Sequence, residues 1–178
     1  MENRLEQNEY APYYQPYVEM VADGDLITIL SEQMKETIIC LKDLSDVQAE
    51  YRYGEGKWSI KEVIGHMVDT ERVMAYRILS IARGESQNLP GFNEEEYVRR
   101  ANFTKKSIDE LLQDFSIVRQ STVLLLKSLG EEAWLRRGLA NNYEITVRAL
   151  AVIIAGHELH HRSIIHERYM KSAFYPKQ

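Results

Sequence analysis

The chain has 178 residues, a length that fits one domain able to bury about 70% of its unfolded surface without disulfides or a structural metal. Its 44% hydrophobic and 28% charged residues are typical of an ordinary soluble protein. The net charge of −5 and the dispersed lysine and arginine residues give no electrostatic basis for binding nucleic acid, which excludes it as an expected partner.

The features that bear on location favour the cytoplasm. The single cysteine, Cys40, excludes an internal disulfide and suits a reducing compartment, and we expect it to be a small buried apolar residue. The N-terminus is polar and does not form a signal peptide, and no apolar run approaches the roughly 20 residues that a membrane span needs. We therefore expect no membrane partner.

The N-terminal part of the chain is an arm followed by a helix. The arm, residues 1–24, is rich in tyrosine and contains two prolines. It either packs along the rest of the protein or remains an exposed tail. The first long helix is predicted over 25–44, because apolar residues recur there at steps of three and four.

Two capping boxes mark the next two long helices. Ser59 with Glu62 begins a helix predicted over 59–82, and Ser107 with Glu110 begins another over 107–129. The connection between them, 85–106, is long and includes a short amphipathic helix over 94–101. Such a connection either shapes a site or is a plain crossover loop.

The last long helix is predicted over 145–170, after a link in which Asn141-Asn142 is a turn signal. No segment is predicted to be a strand. The sequence therefore predicts an all-α protein: one domain, 1–178, folded as a four-helix bundle with a long, partly helical connection between its second and third helices.

The fourth helix carries three of the five histidines in the segment His157-Glu-Leu-His-His161. His157 and His161 project from one face about 40° apart and continue an apolar seam, so they face the core and can share one metal ion. His160 and His166 point away from this seam. A single histidine on an apolar face is usually a satisfied core residue, but a pair one turn apart favours a metal site.

The second helix is expected to supply further ligands. His66 lies on the margin of its apolar face, so periodicity leaves it open whether His66 is a ligand or a surface residue. Glu71 lies near the middle of that face, which is unusual for a carboxylate. It either orients a ligand or acts on substrate, or it is the buried partner of Arg77 or Arg148.

The segment 157–161 also matches the H-E-x-x-H pattern of zinc proteases, in which the glutamate is the general base. The extended form of that motif needs glycine and a third histidine where this chain has Ile164 and Glu167. No predicted strand flanks a cleft, so the sequence does not favour a peptidase.

Five segments together resemble the DinB-like (DinB/YfiT-like) family of four-helix-bundle metalloproteins. They are KWSIKEVIGH (57–66), DTER (69–72), AYR (75–77), LPGFN (89–93) and AGHELHH (155–161). The resemblance implies a divalent metal, with zinc or nickel as first candidates, held by His66, His157 and His161 with open positions left on the ion. The resemblance also implies that the chain is an enzyme. Family members include transferases and isomerases that use low-molecular-weight thiols, and others are hydrolases.

The sequence thus leads to a metal-dependent enzyme that activates a low-molecular-weight thiol cosubstrate or water against a small electrophilic substrate. Glu71, Glu158 and Arg77 are secondary candidates for orienting ligands or substrate. The alternatives are a metal-dependent hydrolase of a small molecule and a non-catalytic, metal-binding stress-response protein. A homodimer is expected from the resemblance and from the tyrosine-rich arm.

Overall fold

The computed structural model of the protein describes residues 4–177. Within them the elements are α1 (Gln15–Val18), α2 (Leu26–Leu41), α3 (Asp46–Glu50), α4 (Ile60–Ala82), α5 (Glu94–Ala101), α6 (Ile108–Lys127), α7 (Glu131–Trp134), β1 (Arg137–Ala140), β2 (Tyr143–Thr146) and α8 (Val147–Ile164). Short 3-10 turns lie at Gln7–Glu9, Pro12–Tyr14 and Phe103–Lys105, and a π-helical segment, Ile165–Met170, continues α8.

The four long helices α2, α4, α6 and α8 form a four-helix bundle, as predicted. Helices α2 and α4 each pack against both α6 and α8, so α2 and α4 lie diagonally opposite each other, although they follow one another along the chain. Helices α4 and α8 are therefore neighbours, and side chains from both can meet between them. None of the helices in residues 4–177 is long and apolar enough to cross a membrane.

Side-chain caps fix where the long helices begin. Ser59 and Ser107 form the two predicted capping boxes with Glu62 and Glu110. Thr146 caps α8 by accepting a hydrogen bond from the backbone N–H of Ala149. Helix α8 therefore starts two residues later than the predicted boundary at 145.

The link before α8 contains a β-hairpin that the sequence reasoning missed. Strands β1 and β2 are antiparallel and are joined by Asn141 and Asn142, whose φ angles are 51° and 67°. Two positive φ values are those of a type I′ turn, which matches the twist of a two-residue hairpin. The prediction of helix at Ile145 was wrong, because this residue is buried in β2.

The N-terminal arm packs on the bundle, which settles the choice between packed arm and exposed tail for residues 4–24. Glu9 is buried and accepts hydrogen bonds from Arg148 and Thr146. Further along, Tyr17 of α1 lies against α8 at Gly156, where a Cβ atom would stand 2.1 Å from the Tyr17 carbonyl oxygen. Only glycine allows the two helices to approach this closely.

Cys40 lies on the surface, so the prediction of a small buried residue was wrong. The buried stripe of α2 at its C-terminal end runs through Thr37 and Leu41. Residue 40 is one step from position 41, about 100° around the helix, and therefore faces water.

Candidate metal centre

Three histidines from two neighbouring helices converge between α4 and α8. His66 projects from α4, and His157 and His161 project from α8 one turn apart. The Nε2 atom of His157 lies 3.1 Å from Nε2 of His66 and 3.0 Å from Nε2 of His161. One ligand atom from each of the three lies within 4.8 Å of the others.

Hydrogen bonding alone does not account for this arrangement. A neutral imidazole nitrogen carries either one proton or one lone pair, so Nε2 of His157 can satisfy only one of its two close neighbours. A shared cation satisfies all three. Two nitrogens bound about 2.0–2.1 Å from one ion, at angles of about 90–110°, stand roughly 2.9–3.4 Å apart, and the observed separations fall within that range.

The three imidazoles are held in the neutral form that binds metal. Burial lowers the pKa of His66 to about 4 and the pKa of His161 to about 2. Burial, followed by the proximity of His161 and His66, keeps the pKa of His157 well below its usual value. At neutral pH each ring therefore offers a lone pair. The donor set of three neutral nitrogens fits a divalent ion such as zinc or nickel.

Aromatic rings surround the histidines and restrict their orientation. The Trp58 ring lies 4.8 Å from the His66 ring, between centroids, and Tyr17 of the arm lies 5.7 Å from His157. Tyr17 also contacts His160, which is only partly buried and stands beside the cluster. The fifth histidine, His166, is exposed and pairs with Glu167, so it is not part of this site.

A buried charge cluster lies next to His157. Arg119 of α6 donates hydrogen bonds from Nε and Nη2 to the Glu71 carboxylate, at 2.8–3.1 Å, and from Nη1 to Glu158 at 2.6 Å. The three side chains are 1%, 4% and 1% exposed, respectively. Two carboxylates and one guanidinium thus lie together in a water-excluded region beside His157.

The structure corrects the expected partner of Glu71. We expected Arg77 or Arg148, but Arg148 pairs with Glu9 and the ion pair of Glu71 is with Arg119. Sequence reasoning missed Arg119 altogether. A signal was present, because Phe115, Arg119, Thr122 and Leu126 follow steps of four, three and four and are all buried.

Glu158 is not placed as the general base of a zinc protease. Its Oε1 accepts a hydrogen bond from Thr37 at 2.6 Å and its Oε2 accepts one from Arg119. Both oxygens are thus engaged inside the core, on the side of α8 that faces α2 and α6. This geometry agrees with the prediction that the chain is not a peptidase of that type.

Two cavities of appreciable size adjoin the histidines and share no lining residue. The first has a volume of about 210 Å³ and lies beside His157, with Tyr14, Arg77 and Asn141 among its lining residues. The second has a volume of about 190 Å³ and lies beside His161, lined in part by Trp58. Both are smaller than the roughly 300–1,000 Å³ that is common for ligand sites.

Arg77 lies in the wall of the first cavity, away from Glu71. It is 3% exposed and donates from Nη2 to the carbonyl oxygen of Pro90 at 2.7 Å, and from Nη1 to the sulfur of Met74 at 3.6 Å. Of the three secondary candidates, Arg77 therefore lines a cavity beside the histidines with part of its guanidinium uncommitted, whereas Glu71 and Glu158 are bound to Arg119.

Comparisons with known proteins place the chain in a family. The model of a family described as the DinB superfamily matches residues 29–165. A protein of Oceanobacillus iheyensis named "Putative metal-dependent hydrolase OB0413" is 26% identical over 137 residues, which are 76% of each chain.

Two solved structures share the fold at low sequence identity. YfiT from Bacillus subtilis, described as a probable metal-dependent hydrolase with an unusual four-helix bundle topology, superposes with a TM-score of 0.70 at 15% identity, over 92% of this chain and 90% of that chain. A mycothiol-dependent maleylpyruvate isomerase superposes with a TM-score of 0.63 at 12% identity, over 86% of this chain and 62% of that chain.

Proposed function

Because the chain belongs to the DinB superfamily, we propose that it is a metal-dependent enzyme whose ion is held by His66, His157 and His161. The observation that carries this proposal is the convergence of three Nε2 atoms, with separations of 3.0 and 3.1 Å to the central one. The names of its relatives and the match to YfiT support metal dependence. We keep the cytoplasmic location and the homodimer as predictions from the sequence.

A divalent ion held by the three neutral nitrogens would have open coordination positions and would lower the pKa of a water or thiol bound there. The protein supplies the rest of the site. His157 and His161 are fixed on one rigid helix, and Trp58 and Tyr17 pack on the rings. Cavities beside His157 and His161 leave room for reactants next to the ligands.

We propose that the reaction joins a low-molecular-weight thiol, or water, to a small electrophile. The thiol alternative is supported by the fold it shares with a mycothiol-dependent isomerase, and hydrolysis by the names of the other relatives. Glu71 and Glu158 remain candidates for orienting ligands or substrate, although both carboxylates are bound to Arg119.

Elemental analysis of the purified, untagged protein tests the site. We expect close to one divalent ion per chain in the wild type, and loss of the ion in His66→Ala and His157→Ala with the fold retained. His166→Ala is the matched control, because that histidine is exposed and outside the cluster. Metal absent from the wild type even after incubation with zinc or nickel would show that the assignment is wrong.

Spectroscopy separates thiol transfer from hydrolysis. With cobalt or nickel in the site, addition of a low-molecular-weight thiol is expected to produce thiolate charge-transfer bands, and the His157→Ala variant is expected to lack them. Hydrolysis is favoured instead if thiols leave the spectrum unchanged while ester or amide substrates are turned over.

Thermal melts address the non-catalytic alternative. The apolar core of the bundle is extensive, so we expect the metal-free protein to remain folded. A protein that unfolds when its metal is removed would favour a structural role for the ion.

A further inference from the structure

Arg77 differs from the other buried arginine in having no ionic partner. Arg119, 1% exposed, binds two carboxylates, whereas Arg77, 3% exposed, makes no ion pair with any group in residues 4–177. It donates hydrogen bonds to the Pro90 carbonyl and the Met74 sulfur, and its Nε–H is buried without a partner in the same part of the chain. A buried cation without a counter-charge is costly to maintain.

The cavity beside His157 is where that counter-charge fits. Arg77 lines it, together with Asn141, Tyr13 and Tyr14. Burial and the neighbouring Tyr13 raise the pKa of Tyr14, although Arg77 opposes the rise, so the Tyr14 hydroxyl stays neutral and can donate a hydrogen bond. These groups suit one planar anion held in the fork of a guanidinium.

We propose that this cavity binds the carboxylate group of the substrate, and that Arg77 is the residue that recognises it. The inference rests on the proposed function only for the reaction of the bound molecule, because a molecule bound in this cavity lies beside His157. Binding of the carboxylate itself requires only the cavity and Arg77.

Charge favours a carboxylate over a phosphate. Arg77 is the only lysine or arginine among the lining residues that the structure describes. The acidic residue Glu94 also lines the cavity and adds no positive charge to it. One guanidinium offsets one negative charge, but a phosphate monoester carries about two at neutral pH. The volume of about 210 Å³ suits a small acid.

The hairpin and the connection after α4 build this wall together. Gly91 approaches the side chain of Asn141 so closely that a Cβ atom at residue 91 would lie 2.5 Å from Asn141 Oδ1. Leu89 pairs with the hairpin through backbone hydrogen bonds to Leu139 and Asn141. Arg77 donates a hydrogen bond to the carbonyl oxygen of Pro90, which lies between Leu89 and Gly91. Phe92 of the same loop lines the cavity.

Binding of simple acids and their neutral amides tests the proposal. Acetate, succinate and benzoate are titrated against acetamide, succinamide and benzamide, using the protein as purified with its metal content measured in the same sample. We expect at least one acid to bind tenfold or more tightly than its amide to wild type. Arg77→Gln is expected to abolish this preference, and Arg83→Gln, an exposed arginine directly after α4, is expected to keep it.

A second measurement covers the case in which Arg77→Gln does not fold. In nitrogen-15-labelled wild type, the Arg77 Nε–H resonance, identified by its absence from Arg77→Lys, is expected to shift on addition of the acid and not of the amide. The proposal is overturned if no acid is preferred over its amide, if the preference persists in Arg77→Gln, or if the resonance does not move.

This outcome is separate from the test of the metal site. A protein that takes up no metal even after incubation with zinc or nickel, yet binds the acid through Arg77, would contradict the proposed function and support the carboxylate site. A metal-loaded sample without any preference for acids would do the reverse.

Discussion

Replacement of Arg119 by methionine should strongly destabilise the protein. The substitution removes the only cation from a cluster in which Glu71 is 4% exposed and Glu158 is 1% exposed. Each carboxylate then loses a charged hydrogen-bond donor in a region that water does not reach. Breaking a buried ion pair by removing one partner costs about 3–5 kcal/mol, so we expect a loss of at least about 3 kcal/mol in the free energy of unfolding.

An exposed ion pair on the same bundle provides the comparison. Arg72 binds Asp114 at 2.5 Å, but its side chain is 47% exposed, and such pairs contribute only about 0–1 kcal/mol. Arg72→Met is therefore expected to change the free energy of unfolding by less than about 1 kcal/mol. Urea denaturation of both variants and the wild type, analysed with a common m-value, measures the difference.

Removal of all three charges distinguishes an unpaired charge from lost packing. In the triple variant Glu71→Leu, Arg119→Met, Glu158→Leu, no buried carboxylate is left without its cation, and we expect most of the stability lost in Arg119→Met to return. The reasoning is refuted if Arg119→Met costs no more than Arg72→Met. It is also refuted if the triple variant is as unstable as the single one.

Two further predictions follow from pKa shifts and close packing. Burial lowers the pKa of His66 to about 4 and of His161 to about 2, so in metal-free protein the unfolded chain takes up protons below about pH 6.5 while the folded chain does not. The free energy of unfolding should therefore fall by about 1.4 kcal/mol per pH unit for each histidine as the pH decreases below about 6.5. Urea melts at pH 7.5 and 5.5 measure this, and equal stability at both would contradict it. Gly156→Ala should lower the free energy of unfolding by about 1–3 kcal/mol, because the new Cβ atom collides with the Tyr17 carbonyl oxygen. Gly130→Ala should have little effect, because a Cβ atom there meets nothing within 4 Å. Thermal melts compare the two variants, and equal melting temperatures would contradict the prediction.

The helices could be read from the sequence because their signals are local. Periodic apolar residues and the capping boxes at Ser59 and Ser107 act over one or two turns, and the structure contains the corresponding helices and caps. The hairpin was missed because its strands have only four residues each, too few to establish an alternation. Asn141-Asn142 was recognised as a turn, but the sequence did not show that both residues have positive φ angles, as the turn of a two-residue hairpin needs.

The sequence by itself determined the pair His157 and His161, because their one-turn spacing places both on the inner face of a single helix. It also determined that Glu71 is buried in the apolar face of its helix. Periodicity left His66 open, and the family resemblance supplied it as a third ligand.

Only the tertiary structure decided which side chains meet across helices. Pairing of Glu71 and Glu158 with Arg119 depends on how α4, α6 and α8 pack against one another. The isolation of Arg77 beside a cavity depends on where the loop after α4 meets the hairpin. Contacts of this kind join residues tens of positions apart, and no local pattern records the rotation of one helix against the next.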